Sequence, residues 1–354
     1  VKKIVRNLKK FASLVGIFAF EACGPSVIAA SAPCPASTDI GGLPGMKFED
    51  GSVGVVGPLA VNPDGTKASY TVGDHGYTYI SNGMDQWNPK VSCLSENSNC
   101  GEKFREAEKG AFGPGTPEFC VYAIEVEPFS PNAKLVACGK GKNVIGNGKG
   151  RPRVGKELLD TVGGGTTNYY VSMTHLNQLV DGATQYIDSA AVPSIVVPTV
   201  KSELLGQVVY ATYRGKSTFA IVADTGPSFG EGSIALHQYL HYGELRAAPK
   251  IGPIGLKDRC GPDESGLEVP FNSAPDMHGD LCSEKGKRKG AADIRAYTGI
   301  RGGVTMIVLG KAKLPMKGIV AQVPVTVEAL EKAASKAGYT EASLQSMASC
   351  LARR

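Results

Sequence analysis

Two carboxylates seven residues apart, Asp224 and Glu231, are the groups in this chain best placed to do chemistry. The run Phe219-Ala220-Ile221-Val222-Ala223 before Asp224 is apolar and reads as a buried strand, which Asp224 terminates. Gly226, Pro227 and Gly230 then break the chain into a short excursion, and Glu231 stands at the mouth of a helix starting near Ser233. Such an excursion could carry the two carboxyls to opposite walls of one cleft. Glycosidic bond hydrolysis needs such a pair, one protonated acid for the leaving oxygen and one carboxylate for water or the sugar. The same residues also admit a plain structural role. Asp224 is a good turn former, and Glu231 is favourably placed at a helix N-terminus.

Other patterns carry less. Gly150-Arg-Pro-Arg-Val-Gly155-Lys156 matches most of a phosphate-binding loop, but Glu157 replaces the Ser or Thr that would hold magnesium. His237 and His241 are spaced to share a helical face, yet Gln238 occupies the place of the general-base Glu of a zinc protease. His75, His175 and His278 show no ligand spacing, no cysteine pair has C-x-x-C spacing, and no G-x-S-x-G elbow occurs.

The elements that must position Asp224 and Glu231 are short strands. Apolar runs alternate with turn signals over 53–90, and stronger strand patterns follow at 168–174, 194–198, 206–213 and 217–224. The segment 233–243, SIALHQYLHYG, has helical periodicity closed by Gly243, 302–310 reads as the last core strand, and 320–354 as a helical hairpin broken at Gly338. Glycine supplies 45 of 354 residues, which favours turns over a helical bundle. The expected class is α+β and β-rich, a mainly antiparallel sheet or barrel-like core with a few helices.

Charge and cysteines narrow the setting. The net charge is +5, of which residues 1–32 hold +4 and the remainder only +1. Binding nucleic acid through overall charge is therefore not expected. Residues 1–32 read as an export signal with a basic start, an apolar stretch and Ala30-Ser31-Ala32 as cleavage site, cleavage after Ala29 being the alternative. Removing Cys23 with it leaves eight cysteines, an even number suited to disulfides in an oxidising compartment. Proximity pairs Cys93–Cys100, Cys120–Cys138 and Cys260–Cys282, leaving Cys34–Cys350. The expected location is secreted or periplasmic, with no membrane association once the signal is removed. The Gly-rich stretch 139–156 has six positive charges and no negative one before Glu157. It is either a solvated loop or a contact for an anionic polymer.

The segment Asp224-Thr-Gly-Pro…Gly230-Glu231-Gly-Ser-Ile-Ala-Leu236 resembles the acidic stretch of glycoside hydrolase family 75, the fungal-type chitosanases and their bacterial relatives. Asn62-Pro63-Asp64-Gly65…Tyr70, Asn82-Gly83…Trp87, Tyr169–Thr174, Val192–Pro198 and Val304–Gly310 are similar, in order, to further elements of that family. The resemblance covers about 55–310, with a long insert at about 88–156; the hydrolase-like domain is expected over 33–315. It implies a secreted, endo-acting, inverting hydrolase of β-1,4 links in a glucosamine-containing polysaccharide such as chitosan, needing no metal or organic cofactor. Glu231 is assigned as acid, since its apolar neighbours raise a carboxyl pKa, and Asp224 as base. Tyr70, Trp87 and Tyr169 are assigned as sugar platforms and Asn82 as a hydrogen-bonding partner. The alternative is a non-catalytic cell-wall polysaccharide-binding or structural envelope protein on the same scaffold.

Overall fold

The computed structural model describes residues 33–353 except 75, 94–97, 162–164, 248–250, 252–279 and 283–296. The export-signal reading lies outside those residues, as does Cys260 of the proposed Cys260–Cys282 pair. The centre is a closed six-stranded barrel. Its strands are β1 (Val53–Val61), β2 (Ser194–Pro198), β3 (Gln207–Tyr213), β4 (Lys216–Gly226), β5 (Glu231–Gly232) and β6 (Tyr297–Lys313). Around the barrel the order is β1-β5-β2-β4-β3-β6, and β6 returns to pair with β1. The β1–β5 and β2–β4 pairings are parallel, the others antiparallel. The strands thus fall where the sequence pattern puts them, except that Tyr169–Tyr170 is only a two-residue strand on Tyr70–Thr71.

Side-chain alternation gives the barrel strands two buried faces, because successive residues of a strand point to opposite sides. Val55 and Leu59 of β1, Ile195 and Val197 of β2, Val209 and Ala211 of β3, Ala220 and Val222 of β4, and Met306 and Val308 of β6 form one buried cluster. The opposite set, including Val208, Tyr210, Ile221, Ala223, Ile307 and Leu309, packs with Leu330, Ala334, Leu344 and Leu351. These last come from two C-terminal helices, Val327–Lys336 and Glu341–Ala352, separated by Gly338 at φ +90°. The hairpin therefore shares the barrel's core. The Cys34–Cys350 disulfide ties it to the start of the described chain.

The inserted region builds its own sheet. Met84–Trp87 pairs with Lys90–Ser92 and with Phe119–Val121, which continues to Lys142–Ile145 and Ala137–Gly139. This sheet begins at Met84. A helix, Cys100–Lys109, places Phe104 against Phe112, Phe119 and Tyr170, and Tyr70 belongs to the same cluster. Cys93–Cys100 and Cys120–Cys138 are both formed, as their proximity predicts. No helix among the described residues is long and apolar enough to cross a membrane.

Candidate active site

Asp224 and Glu231 come from strands on either side of β2. Val196 is the register partner of both, Asp224 on β4 and Glu231 on β5. Residues directly opposite one another across neighbouring strands share a face. The two acidic residues therefore project from one face, about 9–10 Å apart at the backbone, which is two strand spacings. The intervening excursion is anchored by Phe229, which is buried. Ser233 caps the helix Ile234–Tyr242 by accepting from Leu236 N, and its hydroxyl also accepts from Ser194 N (2.9 Å) and donates to Val192 O (2.8 Å). One serine thus fixes β5, the start of the helix and the entry to β2.

A third carboxyl joins them. Asp64 follows β1 in the turn Asn62-Pro63-Asp64-Gly65. Asn62 Oδ1 accepts from Asp64 N (2.8 Å), and Asn62 Nδ2 donates to Glu231 Oε2 (3.2 Å). Ser172 Oγ bonds Asp64 Oδ1 at 3.2 Å and accepts from Gly65 N at 3.0 Å. The Tyr70 hydroxyl bonds Asp64 as well. Burial, then the Asp224 and Glu231 charges, push the Asp64 pKa up to about 8, against the opposing bonds from Tyr70 and Ser172. Burial also raises Glu231; Asn62 works against that shift and Asp224 adds to it. Low-dielectric surroundings and like charge both disfavour the ionised forms, so the cluster retains protons at a pH where free carboxyls have lost them.

Asp224 is held differently. Its Oδ1 accepts from Thr225 N (2.8 Å) and His175 N (3.3 Å), and the same oxygen meets the Nδ1 of His175. The Asp224 side chain is 14% exposed and that of His175 59%, so the pair reaches solvent.

The remaining sequence candidates are distributed unequally. Tyr70 reaches the cluster, but it is only 2% exposed and offers no ring face to a sugar; its hydroxyl serves Asp64. Tyr169 is 8% exposed, and its ring lies so close under Gly155 that a Cβ there would sit 2.0 Å from the ring. Asn82 Nδ2 donates to Thr78 Oγ1 (2.7 Å), which fixes a turn. Trp87 is partly buried in the sheet of the inserted region. No described contact brings Asn82 or Trp87 to the carboxyls.

Asp64, Asn62, Ser172 and His175 are the site residues that spacing did not single out. Asn62-Pro63-Asp64-Gly65 had the signal of a turn and His175 that of an isolated histidine. Their shared position arises from contacts over 108 and 49 residues of sequence respectively.

The other motifs resolve as structure. Gly150–Pro152 is a strand paired with Val126–Pro128, and Glu157 pairs with Lys67, so the glycine-rich stretch makes no phosphate cradle. Lys149, Arg151 and Arg153 pair with Glu118, Glu127 and Glu125, which neutralises half of its basic charge. His237 is fully buried with its ring nitrogens against the carbonyls of Ser233 and Leu59, and burial lowers its pKa. Among the described residues no group of three or more His, Cys, Asp or Glu is arranged to hold a metal. No protein-family model matches the chain, and no curated protein is significantly similar to it.

Proposed function

We propose that the protein is an exported glycoside hydrolase that cleaves β-1,4 links of a glucosamine-containing polysaccharide internally and with inversion. The observation that carries this reading is the Asp224–Val196–Glu231 row, which sets two carboxyls on one face at two strand spacings. Inverting enzymes hold their carboxyls roughly 6.5–9.5 Å apart to admit a water. A backbone separation of about 9–10 Å leaves room between the two side chains for such a gap.

In this reading Glu231, whose proton burial and Asp224 help to retain, protonates the glycosidic oxygen. Asp224 takes a proton from water on the opposite face of the sugar. The water oxygen attacks the anomeric carbon as the bond to the leaving oxygen breaks, in one displacement. Asp64 favours a second assignment of the donor within the same reaction, because with a pKa of about 8 it holds a proton at neutral pH. The three disulfides among the described residues support an oxidising, extracytoplasmic setting. Polysaccharide is the only partner this chemistry requires.

Reducing-sugar release from chitosan, chitin and peptidoglycan glycan strands tests the reading. Release from chitosan above the rate from the other two is expected. Binding of these polymers without any release would instead identify a non-catalytic polysaccharide-binding protein.

A further inference from the structure

Every described hydrogen bond to the Asp224 carboxyl falls on one oxygen. Thr225 N, His175 N and His175 Nδ1 all meet Oδ1. Two of these three come from one residue, His175, so its backbone and ring together grip that oxygen. The histidine's backbone is itself fixed. Thr174 Oγ1 donates to Leu176 O (2.7 Å) and accepts from Ile187 N (3.0 Å), while Leu176 N donates to Ala223 O (2.8 Å). The segment bearing His175 is therefore laced to the end of β4 beside Asp224 without using the imidazole. Thr225 Oγ1 lies 3.3 Å from Nδ1 and 3.4 Å from Nε2, which restrains the ring's tilt.

We propose that His175 is a positioning residue that locks Asp224 Oδ1 and thereby presents Oδ2 to the attacking water. The proposal rests on the hydrolase reading above. A carboxylate free to rotate about its Cβ–Cγ bond would share its basic lone pairs among several directions. Three donors on one oxygen leave the other as the acceptor with a defined direction, which is the kind of placement that accelerates a displacement. In the cycle His175 gains and loses no proton. Water gives its proton to Asp224 Oδ2 while its oxygen bonds to the anomeric carbon. The Asp224 negative charge also raises the pKa of His175, mainly through the hydrogen bond and against the ring's partial burial. Asp224 is the charged group described against this imidazole.

The test compares wild type with His175→Ala, His175→Asn and His175→Gln on chitosan, together with NMR titration of the His175 imidazole. Asn can place an amide N–H near the position of Nδ1, whereas Gln reaches toward that of Nε2. His175→Ala and His175→Gln should lower kcat about 10²-fold with KM little changed, and His175→Asn should recover most of it. In wild type the imidazole should titrate above the range of a free histidine and fall in Asp224→Asn. An active wild type whose His175→Ala variant keeps its kcat overturns the positioning role alone, as does a titration unmoved by Asp224→Asn. A wild type that cleaves no glycan overturns the hydrolase reading first, and the role of His175 in presenting water goes with it.

Discussion

Asn62 joins Glu231 to the turn that carries Asp64: its amide nitrogen donates to Glu231 Oε2 while its amide oxygen accepts from Asp64 N. One uncharged side chain thus sets two acidic residues from distant parts of the chain in a fixed relation. It also stabilises the ionised form of Glu231 against the burial that favours the neutral one. The acidity of the cluster is therefore adjustable at a residue that carries no charge.

Asp224→Asn and Glu231→Gln should each lower hydrolysis by about 10²–10⁴-fold, the range of a single acid or base contribution. Both preserve shape, so thermal unfolding should show folded proteins. Steady-state rates on soluble chitosan measure the loss. Near wild-type turnover in both variants would remove this pair from the mechanism.

Asp64→Asn should stabilise the protein at neutral and alkaline pH. The folded-state pKa of Asp64, about 8, lies above its unfolded value of 3.8. Between those values the folded state binds the proton that the unfolded state has released. Stability therefore falls as pH rises from about 4 to about 8, and it is flat in this respect below the lower value. Replacing the acid by its amide removes that slope and should add about 2–4 kcal/mol at pH 7 and little at pH 4. Urea unfolding of both proteins at the two pH values measures the difference. An equal effect at both would mean that Asp64 ionises normally. The same variant separates the two donor assignments. If Asp64 is the donor, its loss should be mild on an aryl glycoside with a good leaving group and severe on chitosan.

Gly65→Ala should be strongly destabilising. Gly65 has φ +88°, and a Cβ there would lie 2.0 Å from the Ile187 carbonyl oxygen, a backbone atom that cannot step aside cheaply. A cost above about 2 kcal/mol is expected, together with loss of activity as the Asp64 turn shifts. Gly42→Ala is the control. Its φ is +86°, but no atom lies within 4 Å of the added carbon, so only the backbone penalty of about 1 kcal/mol applies. Thermal unfolding of the two variants should rank them in that order.

Cleavage of a β-linked glucosamine polymer should release the α-anomer, because water attacks opposite the leaving group in a single step. Proton NMR of product taken before mutarotation identifies the anomer. The β-anomer would instead indicate a double displacement in which one carboxylate acts as the nucleophile.

Local sequence carried much of this. The strands holding Asp224 and the C-terminal hairpin were legible because alternation, helical periodicity and glycine stops are properties of short windows. Gly243, in the left-handed region at φ +82°, ends its helix where the pattern says it must. Asp224 and Glu231 were visible because only one tight excursion separates them. Cys93–Cys100 and Cys120–Cys138 followed from proximity, and Cys34–Cys350 from elimination.

What only the tertiary structure decided is the environment of those carboxyls. Asp64 reads as a turn residue until β1 pairs with β5 and brings it beside Ser172, Tyr70 and the acidic pair. His175 reads as an isolated histidine until Leu176 bonds Ala223 and lays the ring on Asp224. Tyr70 and Tyr169 read as sugar platforms until packing closes over their rings. Residue type and spacing determine which groups could exchange a proton. Burial and the fields of distant charges determine which one holds it, and only the packing of segments far apart in sequence creates both.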